Sequence, residues 1–175
     1  MTRFVAFAVV IVAIAIVPQA LAGSARTDAT ALPPRGILHP GKSLAGVKLG
    51  DTMARVKQLW GSDYKVCQGK QCPYPTWYYI YPKGEPLGAS VRFRNGRVVT
   101  IFTLGSPIGW RTAEGLIIGE QVDRIAQLYG KLTWNVCIGY GALTMRTDNT
   151  VTSIYTTGQV VYGFALSRHN EPVCN

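Results

Sequence analysis

Residues 36 to 43 read GILHPGKS and satisfy the phosphate-loop pattern, with Gly36 and Gly41 bracketing four residues ahead of Lys42 and Ser43. Phosphate binding of that kind needs a buried strand before the loop and a helix straight after it, so that loop amides and the helix N-terminus face the ligand. Here TALPPR precedes the segment and LAGVKLG follows. Neither support is written, and no nucleotide is expected. Metal ligation needs clustered His, Cys or carboxylates at fixed spacing, yet the chain holds only His39 and His169, near its two ends, and Cys67-x4-Cys72 has no second pair like it. No metal or other cofactor is expected. The sequence contains no G-x-S-x-G nucleophile elbow, Asp51 and Glu120 sit where helices should start, and Glu85 stands alone in a turn. With no acid, base and nucleophile to assemble, the chain is expected not to be an enzyme.

Arginines and aromatics offer binding chemistry instead. In SVRFRNGRVVTIFTL at 90 to 104, Asn95-Gly96 signals a two-residue hairpin turn, because both positions take positive φ. Simple pairing across it sets Phe93 with Val98 and Val91 with Thr100 on one face, joined by Phe102. The other face then holds Arg94 with Arg97 and Arg92 with Val99, plus Ile101. Arg92, Arg94 and Arg97 among aliphatic neighbours make a recognition surface, since each guanidinium is a planar donor fork; the competing reading is a solvated face that only keeps the sheet soluble. The run WYYIY places Trp77, Tyr79 and Tyr81 on one side of a strand, as a binding platform or as core. These six residues are the candidate partner-binding set.

The elements that position them are written twice. GVKLGDTMARVKQLWG at 46 to 61 aligns with GLIIGEQVDRIAQLYG at 115 to 130. Met53, Val56, Leu59 and Trp60, and then Val122, Ile125, Leu128 and Tyr129, fall at helical spacing. Gly50-Asp51-Thr52 supplies N-cap chemistry to the first helix, Glu120 takes the matching place in the second, and Gly61 and Gly130 end the two. The period then switches to two: DYKVC at 63 to 67 matches LTWNVC at 132 to 137, and the 90 to 104 segment matches TSIYTTGQVVYGFAL at 152 to 166, with Thr157-Gly158 in the turn. The expected class is α+β, two tandem repeats of a short helical segment and about four antiparallel strands, their sheets joined or packed together. Repeats of about 65 residues are near the lower limit for a separate core. Trp110 anchors the connector at 105 to 114.

Four cysteines allow three pairings. Cys67 and Cys137 end the first strand of each repeat, so each should find its partner within its own repeat, giving Cys67–Cys72 and Cys137–Cys174. Arg3, the apolar run from Phe4 to Val17 and Ala20-Leu21-Ala22 read as a leader cleaved after Ala22; an uncleaved anchor is the alternative. Export favours paired thiols and a secreted, periplasmic or cell-envelope location, with no membrane contact once the leader is gone. The remaining boundaries are a flexible lead-in at 23–42, repeats at 43–105 and 106–168, and a disulfide-tied tail at 169–175. Of the net +9, residues 43–105 carry +6, with nine basic against three acidic residues, while residues 106–175 balance at five of each. That field favours acidic protein surfaces or anionic wall polymers; nucleic acid is disfavoured outside the cell.

The doubled pattern, a glycine, an apolar-x-apolar-Gly step and a short helix ending in aromatic-Gly, resembles the tandem-repeat fold of the beta-lactamase inhibitory protein. Each repeat is also similar to the SmpA/OmlA lipoprotein family. The resemblance covers about residues 43 to 168 and implies a concave sheet that grips a protein, the surface to which Arg92, Arg94, Arg97 and the Tyr79 row would belong. No lipid-bearing cysteine follows the leader, and the loop matching the inhibitor's acidic-aromatic finger is PKGEP at 82 to 86, with Glu85 but no aromatic neighbour. The expectation is a secreted binding protein for a protein partner; a module for anionic wall or surface polymer is the alternative.

Overall fold

The computed structural model describes residues 31–70, 72–80 and 87–174. The leader, the first part of the lead-in, Tyr81 and the loop at 82–86 lie outside the described residues. Strands β1 (Ile37–His39) and β2 (Ser43–Leu44) precede helix α1 (Met53–Trp60), followed by β3 (Lys65–Gly69), β4 (Cys72–Tyr79), β5 (Gly88–Arg94) and β6 (Arg97–Leu104). After β7 (Arg111–Thr112) come helix α2 (Asp123–Tyr129) and β8 (Thr133–Cys137), β9 (Tyr140–Arg146), β10 (Thr150–Thr157) and β11 (Val160–Arg168).

The α+β two-repeat class is corrected by this architecture: the molecule is mostly β. One antiparallel sheet runs β3-β4-β5-β6-β11-β10-β9-β8, and a three-stranded sheet runs β2-β1-β7. The helices have only 8 and 7 residues, too short to balance it. β6 and β11 pair through Ala165↔Phe102, Leu166↔Ile101 and Ser167↔Thr100, so the two four-stranded meanders form a single sheet. The small sheet arises where composition pointed to mobile chain: GILHPGKS folds as a hairpin with His39 opposite Ser43, and β1 pairs in parallel with β7. Trp110 holds this corner, fully buried, with its Nε1 donating to Pro33 O at 3.0 Å.

One sheet face packs under α1, α2 and the small sheet. Val56 and Trp60 of α1 and Ile125 of α2 meet Val91, Phe93, Ile101, Phe164 and Leu166 in a single core. The paired glycines shape this layer, because Gly50 and Gly119 have φ +88° and +95°, where a side chain is strained. Each lets its loop turn onto its own hairpin, Gly50 N donating to Val98 O and Gly119 N to Val161 O, both at 2.8 Å. The expected Gly50-Asp51-Thr52 step does supply the cap of α1, through Thr52 rather than Asp51; Asp51 and Glu120 instead each accept from the amide three residues earlier, Lys48 N and Ile117 N, at 2.8 Å. Thr52 caps α1 by accepting from Arg55 N, and α2 has no side-chain cap. A Cβ at Gly119 would meet nothing within 4 Å, so Gly119→Ala isolates the backbone term. It is expected to cost about 1–2 kcal/mol, read from the urea midpoint; an unchanged midpoint would show that the loop relaxes freely.

The hairpin of β5 and β6 turns at Asn95 and Gly96, with φ +52° and +70°, but its register departs from simple pairing. A bulge at Val99 sets Arg92 opposite Thr100 and Val91 opposite Ile101. Every residue beyond it therefore changes face: Ile101 enters the helix-side core, and Phe102 joins Leu104 on the opposite side. β10 and β11 carry the same irregularity, with Tyr162 unopposed and the turn at Gly158-Gln159 rather than Thr157-Gly158. The match of 90–104 is thus to 153–167, one residue later than the sequences suggested.

Candidate functional site

The second face of the eight-stranded sheet carries no helix. Cross-strand partners build two rows over it. One runs Thr76, Arg92, Thr100, Ser167, Val151 and Arg146; the other runs Lys65, Tyr78, Ser90, Phe102, Ala165, Ser153, Thr144 and Thr133. Small hydroxyl side chains dominate the centre, and Thr76, Ser90, Thr100, Ser153 and Ser167 are all buried.

Tyr78, Tyr140 and Tyr162 pack on this face, and so does the end of the chain. From the end of β11, residues 169–174 cross this face as a strap. Glu171 N donates to Arg168 O at 3.0 Å to start the crossing, Val173 packs on the cluster of Phe102, Leu104, Ala142, Tyr155 and Ala165, and Tyr155 Oη donates to Val173 O at 2.8 Å. Cys174 closes the strap on Cys137, 5.5 Å apart at Cα. Cys67 pairs with Cys72, so both expected disulfides are present.

Arg94 meets the strap. Its Nη2 lies 2.7 Å from Glu171 Oε1, with side-chain exposures of 34% and 1%, and its guanidinium stacks 4.4 Å from the Tyr74 ring centroid. The contact is ionic but off the N–H axis: Arg94 Nε and Glu171 Oε1 are both buried without a hydrogen-bond partner, as are Thr100 Oγ1 and Ser153 Oγ. Among the described residues these four are all the buried side-chain polar atoms in that condition, and all four lie on this face.

The candidate residues separate. Arg92 and Arg94 share the second face, and Tyr74 and Glu171, which sequence reasoning missed, complete the group. Arg97 opposes Arg94 across the turn but sends Nη1 to Gly50 O at 3.3 Å, away from the strap. Trp77 and Tyr79 are corrected to core, 5% and 1% exposed. Trp77 stacks on Tyr64 with centroids 4.0 Å apart, and Tyr79 Oη donates to Gly61 O at 3.3 Å. Burial, with a smaller contribution from Tyr64, holds the Tyr79 phenol well above its usual range, so it remains a neutral donor. The physical reason is alternation: Val66, Trp77, Val91 and Ile101 form one row on the helix side. The described residues contain no cluster of three or more His, Cys, Asp or Glu arranged to hold a metal. No helix among them is long and apolar enough to cross a membrane.

The fold and site define a mostly β, doubly disulfide-bonded protein, one sheet face under helices and the other under its own tail. No protein-family model matches the chain, and no curated protein matches it. Among solved structures, it is similar in fold to an extracellular protein containing a SCP domain from Bacillus anthracis str. Ames, with a TM-score of 0.52 at 10% identity. That likeness covers 69% of this chain, which spans only 44% of the other protein's length.

Proposed function

We propose that this is an exported, non-catalytic binding protein that recognises a protein partner through the second sheet face, with Arg92, Arg94 and Tyr74 as its contacts. The observation that carries the reading is the carboxylate already held there: Glu171 sits on Arg94 beside the Tyr74 ring. Arg and Tyr over buried small side chains are the residue types that dominate protein interfaces. Export, with a leader cleaved after Ala22, is supported by two disulfides, which form in oxidising compartments. The resemblance of the glycine-helix segments to the beta-lactamase inhibitory protein supports a sheet as the gripping surface; inhibitory activity does not transfer with it.

A pull-down from the native extracellular fluid at low and high salt tests the reading. A packed protein interface keeps most of its partner as salt rises, and Arg92→Glu is expected to lower capture by about tenfold or more, the scale of a lost charge-assisted contact. Capture unaffected by Arg92→Glu would reject this face. A second reading, attachment to anionic wall polymer, is favoured by the +6 concentrated in residues 43–105. It predicts binding that collapses with ionic strength.

A further inference from the structure

Along the strap's course the fit to the face beneath it leaves buried polar atoms without hydrogen bonds, from Arg94 on β5 to Ser153 on β10. Buried polar atoms are nearly always hydrogen-bonded, so each orphan asks for an explanation. Arg94 Nε, Thr100 Oγ1 and Ser153 Oγ lack a hydrogen bond, and Glu171 Oε1 keeps only its 2.7 Å ion pair with Arg94 Nη2, although guanidinium and carboxylate are well suited to an aligned, two-bond pairing. The strap is tied by His169 N donating to Asn149 O, by Glu171 N donating to Arg168 O and by the Cys137 bridge, while Val173 accepts from Tyr155 Oη and packs on the Phe102 cluster. Its tethers thus place the Glu171 carboxylate at Arg94 without letting it align. An untethered carboxylate on an extended segment has no such constraint.

We infer that the second sheet face is a site for an extended acidic segment of a protein partner, and that the chain's own residues 169–174 occupy it in the unbound protein. The partner's carboxylate takes the place of Glu171 on Arg94 and aligns with Nε and Nη2, while its neighbouring backbone polar groups reach the Thr100 and Ser153 hydroxyls. Charge agrees, since the half of the chain that supplies Arg92 and Arg94 carries the whole basic excess of the two halves. This rests on the sheet-face reading above and adds to it the chemistry of the partner and an internal competitor. Because Glu171 competes from within the same chain, it is present at high effective concentration. The unaltered protein should therefore bind acidic segments more weakly than its face allows.

The test uses the full chain and a fluorescent, end-blocked peptide copying the strap, His-Asn-Glu-Pro-Val, followed by anisotropy. Glu171→Gln is expected to bind this probe about tenfold more tightly than the unaltered protein, the scale of one charge-assisted hydrogen bond. The gain should vanish when Arg94→Ala is added, and when the probe carries Gln in place of Glu. Equal binding by Glu171→Gln and the unaltered protein, or a gain that survives Arg94→Ala, overturns the inference. Should Glu171→Gln fold badly, the paired change Cys137→Ser and Cys174→Ser leaves both charged residues in place and frees the strap end; the same tightening is expected, and its absence counts equally against the inference. If pull-down finds a partner that Arg92→Glu loses, while neither opened variant gains probe binding, the self-occupied acidic site is wrong and the sheet-face reading stands.

Discussion

Trp60→Ala is expected to remove about 3–5 kcal/mol of folding stability, the range for emptying a large aromatic site in a packed core. Trp60 is fully buried, and its ring meets Tyr79 and Trp110 edge to face, with centroids 5.4 and 5.3 Å away. Its Nε1 donates to Ala45 O at 3.0 Å, so truncation also strands a carbonyl. Three parts depend on this side chain at once: α1 through its own backbone, the large sheet through Tyr79, and the small sheet through Trp110. The neighbours cannot collapse into the hole without pulling one of these layers off another. Natural domains have about 5–15 kcal/mol in all, so the variant should unfold at a much lower denaturant concentration or fail to accumulate. Trp134, more than half exposed on the edge strand β8, is the control: Trp134→Ala is expected to cost about 1 kcal/mol or less. Equal losses from the two variants in urea titration would contradict the core described here.

The second large effect belongs to the strap. Cys137 and Cys174 are 37 residues apart, against 5 for Cys67 and Cys72. By the loop-entropy estimate the longer closure contributes about 4 kcal/mol and the shorter about 2 kcal/mol. Replacing Cys137 and Cys174 by Ala should therefore lower the melting temperature markedly more than replacing the other pair. Part of this loss comes from the strap itself: once its end is free, Val173 no longer has to cover Phe102, Tyr155 and Ala165, and apolar surface returns to water. Melting with and without reductant checks the origin, because the variant lacking both disulfides should show no reductant dependence. Larger destabilisation from losing the Cys67–Cys72 bridge would contradict the strap's structural role.

Much of this was legible in the sequence where local chemistry dictates the answer. The helices over 53–60 and 123–129 followed from apolar spacing closed by Gly61 and Gly130, whose positive φ ends each of them. The disulfide pairing followed from the matched places of Cys67 and Cys137. What could not be read depends on non-local contacts. A single unopposed residue, Val99, reverses the side on which Ile101 and Phe102 lie, and nothing in RVVTIFTL marks it. Trp77 and Tyr79 read as either platform or core, because alternation separates two faces of a strand without saying what covers either. The class differs for a related reason: β1, β2 and β7 are strands of two or three residues in segments with no alternating period, formed only by pairing with one another, while the helices stop at 8 and 7 residues, so sheet outweighs helix. The Arg94–Glu171 contact joins residues 77 positions apart; the disulfide-tied tail at 169–175 is legible from Cys174, but nothing in HNEPVCN says which face it crosses or that Glu171 meets an arginine.

Site-directed photo-crosslinking asks most directly which face is the working one. A photoreactive amino acid placed at Lys65, exposed on the second sheet face opposite Tyr78, and separately at exposed Ile117, is irradiated in native extracellular fluid. The account predicts a discrete protein adduct from the Lys65 position, diminished by excess acidic peptide, and none from Ile117. An adduct formed from Ile117 alone would place recognition outside this sheet face and contradict the account.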